Sequence, residues 1–378
     1  MTGANRVECF APGRVNLIGE HTDYSGGLVL PVAIDLGTTV RGRPGDARIT
    51  VSSRVGGGSV TIAADGTGGG LQEGWGRYVA AVVQLLAEAG RPAVGFVGEV
   101  ESTLPVGAGL SSSASLLVAL ATTLCDVAEF RLGGLALARL VREAELRAVG
   151  VPCGLMDPAV ILMGRRGCAF LLDCATEEHR PVPLPPDLEI VVLDSGVRHR
   201  LADSGYATRL TELEAALAAI GRTDAHGLDV AEATELAHRA GLTGVELRRL
   251  RHVVAENERV RACVAALESG TDVEAVLGRC FRAGHESLRD DYEVSTPELD
   301  LLVDLAYDAG AVAARMTGGG FGGSVVALAR GGEAARLAAT VTRTYRERTG
   351  HDGRWIVCTA ADGVEAAGPL PAPGGGCG

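Results

Sequence analysis

The sequence contains no lysine: all 35 of its basic residues are arginine. This excludes several architectures at once. A phosphate loop of the GxxxxGK[ST] kind cannot be built, and neither can the lysine-bearing strand of the protein-kinase fold. Schiff-base chemistry on a lysine is excluded as well. Any phosphate the chain handles must be held by backbone amides, a metal ion or arginine.

One segment offers such a site. Residues 105–120 read PVGAGLSSSASLLVAL, a Pro/Gly loop that opens directly into an apolar helix. Glycines let a ligand approach the backbone closely. The helix start directs unpaired N–H groups and a positive dipole end outward, so an anion can bind there without lysine. Ser111, Ser112 and Ser113 add hydroxyl donors and a candidate magnesium ligand. The same residues also suit a plain glycine turn with a serine N-cap.

Three further segments carry polar or glycine-rich chemistry. Residues 11–35, APGRVNLIGEHTDYSGGLVLPVAID, crowd Arg14, Asn16, Glu20, His21, Asp23 and Tyr24 between apolar runs. That pattern fits a polar site at the edge of a core, or a charged turn between two strands. Residues 314–329, ARMTGGGFGGSVVALA, place five glycines around Phe321 between two strand-like runs. This suits close packing against a ligand, or a flexible hairpin. In VGVPCGLMDPAVILM, residues 149–163, Asp157 before Pro158 reads as a helix N-cap followed by proline at the first helical position.

The 378 residues favour two domains sharing a cleft over one core. Strands are expected at TTVRGR, RITVSS, VGFVGEV, CAFLLD and LEIVVLD, and helices at RYVAAVVQLLAEAG, SASLLVALATTLCDVAEF and LALARLVREAELRAV. The proline run from Pro181 reads as a surface connection near a domain boundary, and the glycine-rich stretch 56–70 as loops. After Asp194 the chain turns mainly helical to about residue 310, then gives strand-like VAARMT and SVVALAR. The tail from about 368 is expected to be disordered. The net charge of −12 with no basic cluster argues against nucleic acid as a partner. No apolar run reaches membrane-spanning length and the start lacks a signal-peptide pattern, so a cytoplasmic protein without a membrane partner is expected. Nine scattered cysteines, with no CxxC pair, read as reduced thiols.

Together and in this order, the segments resemble the motifs of the GHMP kinases. PVGAGLSSSAS resembles that superfamily's phosphate loop. GRVNLIGEHTDYSGGLVLP resembles the galactokinase signature, and VPCGLMD its catalytic-aspartate segment. HESLRDDYEVSTPELD and RMTGGGFGGS resemble further galactokinase segments, so the likeness runs from about Phe10 to Leu328. It implies an α+β, two-domain GHMP kinase fold with mixed sheets and helices, residues 1–185 and 186–378 forming the domains and the active site lying in the cleft between them. It implies transfer of the ATP γ-phosphoryl group to the C1 hydroxyl of galactose, with Mg²⁺, by a monomer.

Residue by residue, the resemblance makes Asp157 the catalytic carboxylate and Arg14 the arginine beside it. Glu20, His21, Asp23, Gly154 and Tyr206 match sugar-contacting positions. Ser113 and Glu145 match magnesium ligands, and Trp75 an aromatic near the adenine. Pro105, Gly107, Ala108, Gly109, Leu110, Ser111, Ser112 and Ser113 fall in the phosphate loop that binds ATP. The chain departs from the family pattern at Pro158, usually Gln, at Leu117, commonly Glu, and at the DSG before Tyr206. A kinase for another sugar, or a galactose- and ATP-binding regulator without turnover, are the competing expectations.

Overall fold

The computed structural model describes residues 6–54, 56–67, 73–105, 107–150, 153–197 and 205–367. The first 102 residues supply a five-stranded sheet. Its strands are β1 (Val7–Asn16), β3 (Pro31–Gly45), β4 (Arg48–Ser53), β5 (Ser59–Ala63) and β6 (Gly95–Ser102), in the order β1-β3-β6-β4-β5. All neighbours are antiparallel except β4 and β6. Helices α1 (Gly76–Glu88), α2 (Ser112–Val127), α3 (Gly134–Val149) and α4 (Met156–Met163) pack on this sheet and on one another.

The apolar composition of α2 is explained by its place. It lies on β1 and β3, with α1, α3 and α4 around it. Leu117, Val118, Leu120 and Leu124 are all buried. Leu117, where the family commonly has Glu, is therefore a core residue; an ionised carboxylate there would need a partner.

Short strand β2 (Leu28–Val29) joins β7 (Cys168–Asp173) and β8 (His179–Pro183) in a three-stranded sheet. The start of the proline run is thus strand, not connection. Pro181 and Pro183 are tolerated because β8 is an edge, where a missing N–H breaks no ladder. The loop expected over 56–70 is also corrected in part: Ser59–Ala63 pairs with β4. The period-2 pattern SVTIA turns Val60 and Ile62 inward, a signal hidden among the flanking glycines.

The second half builds a four-stranded antiparallel sheet, β10-β11-β9-β12, from β9 (Leu188–Asp194), β10 (Ala313–Thr317), β11 (Ser324–Arg330) and β12 (Arg354–Cys358). Around it lie α5 (Tyr206–Ala219), α6 (Val230–Arg239), α7 (Gly244–Ser269), α8 (Val273–Asp290), α9 (Pro297–Asp308) and α10 (Ala334–Thr349). After β12 the chain returns to the first half: Ile34 bridges Ala360, and α11 (Val364–Ala367) packs against α4. A separate apolar cluster joins Val15, Leu17 and Ile18 to Val260, Phe281 and Val326. The described cysteines are free thiols. The tail beyond 367 lies outside the described residues.

Candidate active site

The phosphate-loop segment folds as its sequence suggests and is seated on β1. Arg14 N–H donates to the Leu110 carbonyl at 3.2 Å. A Cβ at Gly13 would stand 2.8 Å from that oxygen and 2.5 Å from Leu104, so only glycine allows the approach. Ser111 occupies the N-cap position of α2 with φ +56°. Its hydroxyl makes no cap bond; it donates to Asp157 instead. The first-turn N–H groups of α2 are thus left without a side-chain cap.

Asp157 is held on both oxygens by one further residue, Arg14. Arg14 Nε donates to Oδ1 at 2.6 Å and Nη2 to Oδ2 at 2.8 Å, a bidentate pair. Arg14 Nη1 donates to the Gly109 carbonyl at 2.5 Å, joining the pair to the phosphate loop. The helix-cap expectation for Asp157 is overturned. Helix α4 begins at Met156 with Leu155 as its N-cap, and Asp157 sits in the first turn with its carboxylate on Arg14. Pro158 follows in that turn, where its missing N–H breaks no helical bond; it is buried and does not line the cleft.

These groups open onto a cleft of about 470 Å³. Arg14, Glu20, His21, Asp23, Gly107, Gly109, Leu110, Ser111, Ser112, Ser113, Glu145, Gly154, Asp157 and Tyr206 all line it. Ser113 Oγ donates to Glu145 Oε1 at 2.5 Å. Burial first, and then the Asp157 charge, raise the Glu145 pKa; the Ser113 bond opposes them. Asp23 is pushed up to about 6 by burial and then by Asp157. A Cβ on Gly154 would fall 1.7 Å from Asp23 Oδ2, so this glycine makes room for the carboxylate.

Glu20 is buried against Arg315, with Nη2 to Oε2 at 2.6 Å. Burial lifts its pKa to about 7; Arg315 opposes the shift and Glu256 adds to it. Arg315 also pairs with Glu256 at 2.7 Å, and Arg259 with Glu256 at 2.7 Å. His21 has φ +64° and is held neutral, its pKa lowered to about 3 by burial and then by His252. The Tyr206 ring centroid lies 5.5 Å from that of His21, and burial raises the Tyr206 pKa.

Trp75, Pro105 and Ala108 are not among the lining residues. Trp75 stands at the N-cap of α1 and donates from Nε1 to the Gly57 carbonyl at 3.1 Å. Ala108 is buried, and its carbonyl accepts from Ser324 Oγ at 2.7 Å, tying the loop to β11. Val149, Cys153, Met156 and Thr317 also line the cleft without standing out singly in the sequence, and so does the run Gly318–Gly323. The GGGFGG pattern was the available signal for the last. Among the described residues no group of three His, Cys, Asp or Glu side chains could hold a metal, and no helix is long and apolar enough to cross a membrane.

Comparison with known proteins agrees with this arrangement. Three family models match: the galactokinase galactose-binding signature over residues 2–44, the GHMP kinase N-terminal domain over 77–165, and the GHMP kinase C-terminal domain over 272–347. The chain is 43% identical to a galactokinase of Chloroflexus aggregans, with 94% of this chain and 92% of the relative covered. It is 40% identical to human galactokinase, covering 94% and 91%. Among solved structures, Lactococcus lactis galactokinase complexed with galactose superposes with a TM-score of 0.89 at 31% identity, covering 95% and 94%. A mevalonate kinase at 17% identity and TM-score 0.66 shares the fold. The chain belongs to the galactokinase family of GHMP kinases.

Proposed function

We propose that this cleft transfers the γ-phosphoryl group of ATP to the C1 hydroxyl of galactose, giving galactose 1-phosphate and ADP. The observation that carries the reading is the Arg14–Asp157 pair at the foot of an uncapped helix start. Phosphoryl transfer asks mainly for positioning and charge stabilisation. Arg14 and Ser111 fix both carboxylate oxygens of Asp157. Oδ1 accepts one of these bonds, so a lone pair remains to receive the C1 hydroxyl proton. Arg14, anchored on Gly109, stands where it can also meet charge on the transferring group.

Glu20, His21, Asp23, Gly154 and Tyr206 are assigned to the sugar, and the loop from Pro105 to Ser113 to the triphosphate. Trp75 is assigned to the adenine from the resemblance alone. Ser113 and Glu145 fit a magnesium site: a hydroxyl and a half-buried carboxylate with no cation partner among the described residues give two hard oxygen donors, and magnesium commonly takes only one or two carboxylates beside substrate phosphates. Bound there, the ion would neutralise phosphate charge. We further assign the domains to 1–185 and 186–378, the assembly to a monomer and the location to the cytoplasm.

The test is incubation of the pure protein with ATP, Mg²⁺ and a sugar panel of galactose, N-acetylgalactosamine, arabinose and a uronic acid. Galactose 1-phosphate is the expected main product. Product from another sugar alone moves the assignment to that sugar. Galactose binding without any product identifies a non-catalytic sensor.

A further inference from the structure

His21 borders the cleft, yet its Nδ1 is turned into the protein. Nδ1 lies 2.7 Å from Tyr24 Oη, and Tyr24 Oη lies 2.8 Å from Tyr292 Oη. The rings pack closely, with the His21 and Tyr292 centroids 4.7 Å apart. Nε2 is buried too and makes no hydrogen bond of ordinary geometry among the described residues.

A row of two hydroxyls and one ring nitrogen can run in only two directions. In the first, His21 carries its proton on Nδ1 and donates to Tyr24, which donates to Tyr292. The Tyr292 hydroxyl then needs a further acceptor. Tyr292 is fully buried, and the described residues give its hydroxyl Tyr24 as partner and no second acceptor. A buried O–H with nothing to donate to is penalised by its full desolvation. In the second, Tyr292 donates to Tyr24 and Tyr24 donates to Nδ1. Every hydroxyl proton is then used, and the ring proton sits on Nε2, the one group of the row left without a partner among the described residues, where the first direction leaves two, the Tyr292 hydroxyl and Nε2.

We infer that Tyr24, backed by Tyr292, fixes His21 as its Nε2–H tautomer, so that the cleft meets a hydrogen-bond donor and recognises there the lone pair of a sugar hydroxyl oxygen. Burial keeps the ring neutral, so a single tautomer can persist across the working pH range, and the Gly319 backbone favours a proton on the ring. The neutral ring also matters for selectivity: a fixed donor rejects a ligand that offers only a donor at that point. Tyr24 acts through His21 and is a positioning residue.

The sugar in this inference rests on the galactokinase reading, but the position of the proton does not. NMR of the full-length protein labelled with ¹⁵N-histidine locates the proton directly, whether or not galactose is turned over. His21→Gln assigns the signals by their loss. The wild type is expected to show Nε2 protonated and Nδ1 bare. Tyr24→Phe should give a mixture of tautomers and raise the KM for galactose about three- to tenfold, with the KM for ATP unchanged. Tyr292→Phe should leave the tautomer in place, because Tyr24 still donates. A wild-type proton on Nδ1, an unmixed Nε2–H signal in Tyr24→Phe, or a switch to Nδ1–H in Tyr292→Phe overturns the inference.

Discussion

Gly154 is the position where a single methyl group should tell most about the sugar site. An added Cβ would lie 1.7 Å from Asp23 Oδ2 and 2.3 Å from its Cγ. The carboxylate must retreat by about 1.5 Å to regain ordinary van der Waals contact. A binding group tolerates misplacement of only about 0.5 Å before its function suffers. If Asp23 bonds a sugar hydroxyl, Gly154→Ala removes a bond to a charged group, about 1.5–3 kcal/mol. That predicts a fall of roughly 10- to 100-fold in kcat/KM for galactose. The KM for ATP should hold, because the triphosphate loop lies on other elements.

A double-mutant cycle isolates the cause. Asp23→Ala alone should lower kcat/KM by a similar factor. If Gly154→Ala acts by displacing Asp23, it adds little in the Asp23→Ala background. The assay is steady-state kinetics with galactose varied at saturating ATP, with thermal melts to confirm folding. Equal losses in both backgrounds would show that the methyl group acts on something other than Asp23. No loss in the wild-type background would remove Asp23 from the sugar site altogether.

Three further outcomes follow from the same geometry. Asp157→Asn keeps the shape but cannot accept the proton, and kcat should drop by about 10²-fold or more while galactose binding by calorimetry persists; near-normal turnover removes Asp157 from catalysis. Glu145→Ala leaves Ser113 as the remaining oxygen donor of that pair, so the Mg²⁺ concentration for half-maximal rate should rise about tenfold or more, and an unchanged requirement places the metal elsewhere. Asp23 binds its proton more tightly folded, at about 6, than its ordinary 3.8. Its contribution to stability is therefore present below about pH 4 and lost as pH rises through about 6. Asp23→Asn in the ligand-free protein should gain on the wild type across that window, by an amount on the order of 3 kcal/mol at most. A stability difference that is flat from pH 4 to 7 would falsify the raised pKa.

Local sequence accounts for the parts of the site that local structure builds. The phosphate loop is legible because glycines, serines and an apolar helix are contiguous, and Arg14 because it stands among polar residues crowded between apolar runs; the strand that carries it was not expected, since VECFAPGRVN does not alternate. Asp157 is harder: Asp-Pro has a sound capping explanation, and only its meeting with Arg14, 143 residues away, decides against it. The strand Ser59–Ala63 and the edge strand with two prolines were missed because their pairing partners, not their composition, make them strands.

Residues 17–27 were the least legible, for a reason that bears on function. This stretch carries Glu20, His21 and Asp23 but forms no helix or strand of its own. Besides its own turn bonds it is held from the second half of the chain. Glu256 accepts from Gly19 N–H at 2.9 Å, and Asn257 Oδ1 accepts from Leu28 N–H at 2.8 Å. His252 Nε2 lies 3.1 Å from the Glu20 carbonyl, and Thr317 Oγ1 donates to the Asn16 carbonyl at 2.8 Å. His252 and Glu256 lie one turn apart on α7 and Asn257 follows directly, and all three are buried in a helix that reads as merely charged. The loop is therefore a feature of the N-terminal sequence whose shape is buttressed by α7 and β10. A buried network of this kind is stable only when complete: removing Glu256 takes the carboxylate from Arg259, leaves Arg315 with Glu20 alone and frees the Gly19 N–H together. Loss of sugar affinity from a substitution on α7 is thus expected without any contact between that helix and the sugar.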